Sequence, residues 1–161
     1  MNIGNILSEA VKVLNNYNVK NPYLDSEILL SQTINRNREF IILNSKKKLH
    51  KSFLKAFNDL IERRKKGEPI AYLVNKKDFW KYSFYVDSNV LIPRPDTEHL
   101  VEETLKLTNN NSKLKILDIG TGSGCILLSI LKDRKEFFGT GIDICKKALK
   151  VAHFNANVHQ L

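Results

Sequence analysis

The stretch ILDIGTGSGCILLSIL over residues 116–131 constrains the fold more than any other part of the chain. A short apolar strand carries an acid near its end, glycines follow at positions 120, 122 and 124, and an apolar segment of helical character resumes at once. A glycine-rich turn between strand and helix lets backbone amides approach a nucleotide or nucleoside with no Cβ in the way. The rhythm continues past the turn: strand over Lys115 to Ile119, helix from Cys125 to about Leu131, strand over Phe137 to Asp143, helix from Lys146 to about Asn157. That order, βαβα, opens a parallel, doubly wound sheet of the Rossmann-like kind. Such sheets usually run to about five or more strands with helices on both faces. The 161 residues are therefore expected to be the first part of a longer α/β fold.

The region before it reads differently. Ile3, Ile6, Leu7, Ala10, Val11 and Leu14 recur at spacings of three and four, forming one amphipathic stripe that the asparagines at 15, 16 and 18 end. A second helix is expected from Asn21-Pro22, burying Leu24, Ile28, Leu29 and Ile34, and a third from Arg38 to Leu43. A fourth, following Ser45, would carry Leu49, Phe53, Leu54, Phe57, Leu60 and Ile61 on one side and stop at Gly67-Glu68-Pro69. Residues 1–75 thus read as a helical domain with its own core. Over 76–95 the aromatic and branched stretch FWKYSFYVDSNVLIP predicts a β-hairpin and linker, with its turn at Asp87-Ser88-Asn89. Residues 96–161 then hold the partial α/β domain. It begins with a helix that uses Leu100, Val101, Thr104, Leu105 and Leu107, N-capped by Asp96 or Thr97, and a linker over Asn109 to Ser112.

Composition narrows the function classes. No apolar run is long enough for a membrane span and the N-terminus lacks a signal-peptide pattern, so a cytoplasmic location is expected. Cys125 and Cys145 fit no metal or redox spacing and read as core residues, and His50, His99, His153 and His159 share no ligand spacing, so no metal site is expected. The net charge of +9, concentrated at Lys46 to Lys48 and Arg63 to Lys66, favours polyanionic surroundings such as RNA or the ribosome without identifying one. No nucleophile triad can be assembled.

The glycine turn can be narrowed by its chemistry. A Walker loop requires a lysine after its last glycine, and here Cys125 and Ile126 follow Gly124. The spacing Asp118-x-Gly120-x-Gly122-x-Gly124 also differs from G-x-G-x-x-G. Asp118 offers a carboxylate to a cationic group or to backbone amides. Gly120 and Gly122 permit a tight turn and close approach, and Gly124 permits close packing of helix and strand. Asp143 ends the second strand, where an acid accepts hydrogen bonds from both ribose hydroxyls. S-adenosyl-L-methionine meets these three demands and carries no phosphate that would need a lysine. The bland alternative is a turn that merely joins strand to helix.

The stretches VLIPRPDTEHLVEE (90–103), ILDIGTGSGCILLSIL and GTGIDICKKALKVAHFNA (139–156) resemble the protein-(glutamine-N5) methyltransferases that modify peptide chain release factors. The resemblance extends over nearly the whole chain. It implies methyl transfer from S-adenosyl-L-methionine to the side-chain amide of the glutamine in the Gly-Gly-Gln loop of class 1 release factors. It further implies that Gly120, Thr121, Gly122, Ser123 and Gly124 bind the methionine end of the donor and Asp143 its ribose. Phe84 and the loop Pro93, Arg94, Pro95, Thr97 and Glu98 would lie beside the donor and the incoming glutamine, and the helical domain would help dock the release factor. The family's Asn-Pro-Pro-Tyr motif, which grips the acceptor amide, occurs nowhere in these residues. No catalytic residue is therefore assigned, and the 161-residue chain alone is expected to be inactive. Two alternatives stand beside this reading: an N6-adenine nucleic-acid methyltransferase, whose acceptor is also a planar amine, and a non-catalytic remnant serving as an interaction domain.

Overall fold

Apolar residues at helical spacing build the first of two units, Met1–Val74 and Asn75–Leu161, in a computed structural model that describes residues 1–110 and 112–161. Position 111, part of the linker expected over Asn109 to Ser112, lies outside the described residues. Helix α1 (Ile3–Asn16) buries Ile3, Ile6, Leu7, Ala10 and Leu14, and the Asn2 side chain caps it by accepting from the Asn5 amide at 2.8 Å. Helix α2 (Pro22–Ile34) begins with proline in its first turn, and α3 spans Arg38–Leu43. They are followed by α4 (Ser52–Lys65) and a short α5 (Ile70–Leu73), to which no element was assigned from sequence. Leu14, Leu29, Leu30, Ile41, Phe57, Ile61 and Leu73 meet in the core of this unit.

Two expectations for the helical unit are corrected. Leu24 is exposed, because α2 turns Asp25, Ser26 and Glu27 inward with Leu29 and Leu30. The inward acids are paired, Asp25 with Arg64 Nε at 2.7 Å and Glu27 with Arg38 Nη2 at 2.6 Å, which is what makes their burial tolerable. Helix α4 starts at Ser52, later than expected, and leaves Phe53 exposed. The segment before it satisfies its backbone groups by lying along the N-terminus instead: the amides of Gly4 and Ile3 donate to Ser45 and Lys47, and the Leu49 amide donates to Met1. In the basic run Arg63 to Lys66, Arg63 pairs with Glu68, Arg64 with Asp25 and Lys65 with Glu62.

The second unit opens with a hairpin of β1 (Lys77–Phe79) and β2 (Tyr82–Phe84), antiparallel with Phe79 opposite Tyr82. Its turn is Trp80-Lys81, not the expected Asp87-Ser88-Asn89. Trp80 adopts φ +57°, a conformation bulky residues seldom take, and a single carboxylate holds it there. Asp133 accepts from Trp80 Nε1 at 3.1 Å, Lys81 Nζ at 2.7 Å and the Tyr82 hydroxyl at 2.7 Å. Asp87 makes a separate local turn, accepting from the amides of Asn89 and Val90. A 3₁₀ turn at Pro95–Thr97 runs directly into α6 (Glu98–Leu107). The expected side-chain cap by Asp96 or Thr97 is not formed, because the 3₁₀ turn already supplies backbone acceptors, such as the Arg94 carbonyl for the Thr97 amide. Val101 is the buried residue of α6, whereas Leu100 and Leu107 are exposed.

Strands β3 (Lys115–Ile119) and β4 (Phe138–Ile142) pair in parallel with Lys115 opposite Phe138 and Ile119 opposite Ile142, joined through α7 (Cys125–Asp133) and followed by α8 (Lys146–His159). The α/β expectation holds: a helical N-terminal unit, a hairpin and a partial Rossmann-like βαβα unit. Residues one apart on a strand face opposite ways. A Cβ added to Gly139 would strike Leu127 and Leu131 of α7, so that face is helix-covered. Leu117, Ile119, Phe138 and Ile142, on the other face, are exposed. Among the described residues no helix is long and apolar enough to cross a membrane.

Candidate functional site

The carboxyl ends of β3 and β4 meet at the glycine turn. The amides of Gly120 and Thr121 both donate to the Ile142 carbonyl, at 2.8 and 3.0 Å, and the Gly124 amide donates to the Thr121 carbonyl at 2.8 Å. Gly120, Gly122 and Gly124 have φ of +80°, +55° and +80°, a region that residues with a Cβ rarely occupy. The three glycines serve different ends. A Cβ on Gly120 would meet nothing within 4 Å, and one on Gly122 only the Gly120 carbonyl at 3.9 Å. On Gly124 it would come within 2.9 Å of Leu128. The first two present bare backbone to open space, and the third makes room for α7.

The turn's side chains point the other way. Thr121 and Ser123 are buried, and Thr121 Oγ1 donates to Asp118 Oδ2 at 2.8 Å. Asp143, one residue beyond β4, accepts from the Gly122 amide at Oδ2 (2.9 Å) and from the Cys145 amide at Oδ1 (2.8 Å). The Cys145 and Gly122 amides hold the Asp143 carboxyl below the usual carboxylate range. The result is a fixed anion beside open glycine backbone, with lone pairs left over on both oxygens.

Of the residues singled out from sequence, the structure therefore brings Asp118, Gly120, Thr121, Gly122, Ser123, Gly124 and Asp143 together. Phe84 lies in the interior of its unit, edge-on to Phe79 and tilted against His159 at 4.9 Å. In the proline loop Pro93 is buried, Arg94, Pro95 and Asp96 are exposed, and Thr97 and Glu98 are half-buried. Burial pushes the Cys125 thiol up, and no group of His, Cys, Asp or Glu that could hold a metal ion is found among the described residues.

Sequence reasoning missed Asn155. It lies on α8 and is 1 % exposed. Its Nδ2 donates to the carbonyls of Ser123 and Tyr85, both at 2.9 Å, and its Oδ1 accepts from the Tyr85 amide at 2.8 Å. The signal available was a lone asparagine on the inward stripe Ala148, Val151, Asn155.

A parallel βαβ unit with a glycine turn and an acid after its second strand defines a Rossmann-like unit. Comparison with known proteins goes further. A family model described as the PrmC N-terminal domain matches residues 5–74. The chain is 44 % identical over 140 residues to the release factor glutamine methyltransferase of Buchnera aphidicola subsp. Baizongia pistaciae, an alignment covering 87 % of this chain and 50 % of that protein. It is 43 % identical over 155 residues to the enzyme of the same name from Buchnera aphidicola subsp. Schizaphis graminum (96 % and 55 %), and 40 % identical over 142 residues to that of Coxiella burnetii (88 % and 51 %). The chain is thus similar, over most of its own length, to release factor glutamine methyltransferases, and residues 5–74 match the PrmC N-terminal domain. It spans about half the length of the curated relatives it matches.

Proposed function

We propose that this chain contributes donor binding and partner docking to methylation of a release-factor glutamine. The carrying observation is the pair of open, positive-φ glycines, Gly120 and Gly122, set against an Asp143 carboxylate fixed by two backbone amides. In this reading the donor is S-adenosyl-L-methionine, which supplies a methyl group on a positively charged sulfur. Gly120 to Gly124 receive its methionine end, because backbone without Cβ allows close approach there. Asp143 accepts hydrogen bonds from the ribose hydroxyls with the lone pairs its amide donors leave free. Asp118, tied to Thr121 Oγ1, keeps the turn in register and adds negative charge toward a cationic ligand.

The acceptor in this reading is the side-chain amide of the glutamine in the Gly-Gly-Gln loop of a class 1 release factor, in the cytoplasm. Support comes from the printed names of the relatives and from the match of residues 5–74. The helical unit docks the release factor, the exposed Lys46, Lys47 and Lys48 suiting an acidic face or the RNA-rich surroundings of translation. The exposed part of the loop from Pro93 to Glu98 lies on the acceptor side, with the buried Phe84 supporting the hairpin that precedes it. An amide nitrogen is a weak nucleophile and needs groups that orient it. The Asn-Pro-Pro-Tyr motif for that task is not in these residues, so the assignment to them is donor binding and docking.

Calorimetric titration of S-adenosyl-L-methionine into the protein and its Asp143→Ala variant tests the reading. Saturable binding to the wild type is expected, weakened in the variant by about 1.5–3 kcal/mol, the range for hydrogen bonds to a charged group. Equal affinity in both proteins removes Asp143 from the site, and no saturable binding removes the donor site from these residues.

A further inference from the structure

We propose that Asn155 is a positioning residue for the donor loop, joining the glycine turn to the segment that leaves the hairpin. The proposal rests on the donor site described above. The Asn155 side chain uses both amide hydrogens and its oxygen. One hydrogen goes to Ser123 O in the middle of the glycine turn, the other to Tyr85 O, and the oxygen receives the Tyr85 N–H, all at 2.8–2.9 Å. The side chain is almost wholly buried, so water cannot replace these bonds, and a buried amide is costly unless fully partnered. Backbone–backbone pairing accounts for Gly120, Thr121 and Gly124, and Asp143 takes the Gly122 amide. The Ser123 carbonyl has Asn155 as its hydrogen-bonded partner.

The geometry gives Asn155 a second consequence. Tyr85 directly follows β2 and begins the path to the loop at Pro93 to Glu98. One side chain on α8 therefore fixes two segments that are remote in sequence. A glycine turn with three positive-φ residues has much backbone freedom to lose. An anchor on its one serine carbonyl holds the turn in its ligand-ready shape before any ligand arrives, which is preorganisation.

Two substitutions separate the bonds. Asn155→Asp is isosteric and keeps an acceptor for the Tyr85 amide but loses both donors, whereas Asn155→Leu loses all three. Amide hydrogen exchange at neutral pH is the primary readout. In the aspartate variant the amides of Thr121, Gly122 and Gly124 are expected to exchange at least about tenfold faster, with Tyr85 and the middle of α7 unchanged. In the leucine variant Tyr85 joins them. Affinity for S-adenosyl-L-methionine is expected to fall at least about tenfold in the aspartate variant. Unchanged exchange at the turn overturns the proposal, as does a uniform rise across Asn75–Leu161, which marks a merely structural asparagine. Faster exchange with unchanged donor affinity also overturns it, since the turn would then not need positioning. If the leucine variant does not fold, the isosteric aspartate decides alone. If the wild type itself does not bind the donor, the function proposed above fails, while the exchange data still show whether Asn155 orders the turn.

Discussion

The two units solve the problem of holding a shape in different ways. Met1–Val74 closes an apolar core of five helices and ties two inward acids, Asp25 and Glu27, to arginines. In Asn75–Leu161 the parallel strands are covered by α7 on one face, while Leu117, Ile119, Phe138 and Ile142 stand exposed on the other. Parallel sheets are normally buried on both faces. The glycine turn, at the end of these strands, is accordingly held by polar ties, namely Asp118 to Thr121, Asp143 to Gly122 and Cys145, and Asn155 to Ser123. Apolar burial stabilises the first unit, and directed hydrogen bonds shape the site in the second.

That contrast is open to direct attack. The largest effect is expected from Phe57→Ala in the helical core, where Phe57 is 1 % exposed. Emptying such a position costs about 3–5 kcal/mol, to be read from chemical denaturation and amide exchange over Met1–Val74. A cost below about 1 kcal/mol would show that this core is not what stabilises the unit. Next comes Gly141→Ala. The new Cβ would press on Oγ1, Cβ and Cγ2 of Thr121 at 2.9–3.1 Å, a side chain already bound to Asp118. Overpacking there should cost about 1–3 kcal/mol and weaken donor binding as the turn shifts.

Gly120→Ala should be milder in stability, about 1–2 kcal/mol for the left-handed backbone, because its Cβ meets nothing. It should nevertheless weaken donor binding, since the Cβ occupies the approach that bare backbone leaves open. A Gly120→Ala protein with full donor affinity would place the ligand elsewhere. The smallest effect concerns acid. The carboxyl of Asp143 titrates below its ordinary value in the fold, owing to the Cys145 and Gly122 amides. Its contribution is thus complete above the unfolded pKa of about 3.9 and is lost as pH falls through the lower folded value. Unfolding titrations from pH 5 downward should show a shallower acid slope in Asp143→Asn than in the wild type.

The parts of the molecule governed by neighbouring residues were legible from sequence. Strand Lys115–Ile119, the glycine turn and the start of α7 follow from local alternation and glycine spacing, and the stripe of α1 from its 3.6-residue period. The misreadings share a cause: a partner far away in the chain. Trp80 turns the hairpin because Asp133 holds three consecutive side chains, and no local signal places a tryptophan at positive φ. Leu24 faces outward because Arg64 and Arg38 donate to the inward-turned carboxylates of Asp25 and Glu27. Helix α4 begins late because the N-terminus captures residues 45–49. Within the site, Asp143 was visible as the acid ending a strand. Asn155 was not, because its partners at 85 and 123 become neighbours only in the folded unit.

The Trp80 turn also equips the molecule with an optical gauge. Trp80 is the chain's one tryptophan, and its indole N–H donates to the Asp133 carboxylate while Lys81 Nζ sits 5.2 Å from the ring centroid. Red-edge excitation selects this indole from the five tyrosines, so its emission colour reports on one hydrogen bond between the hairpin and α7. Since α7 starts directly after the last glycine of the turn, the colour of a single chromophore can follow, without any label, whether the helix that follows the glycine turn is in place.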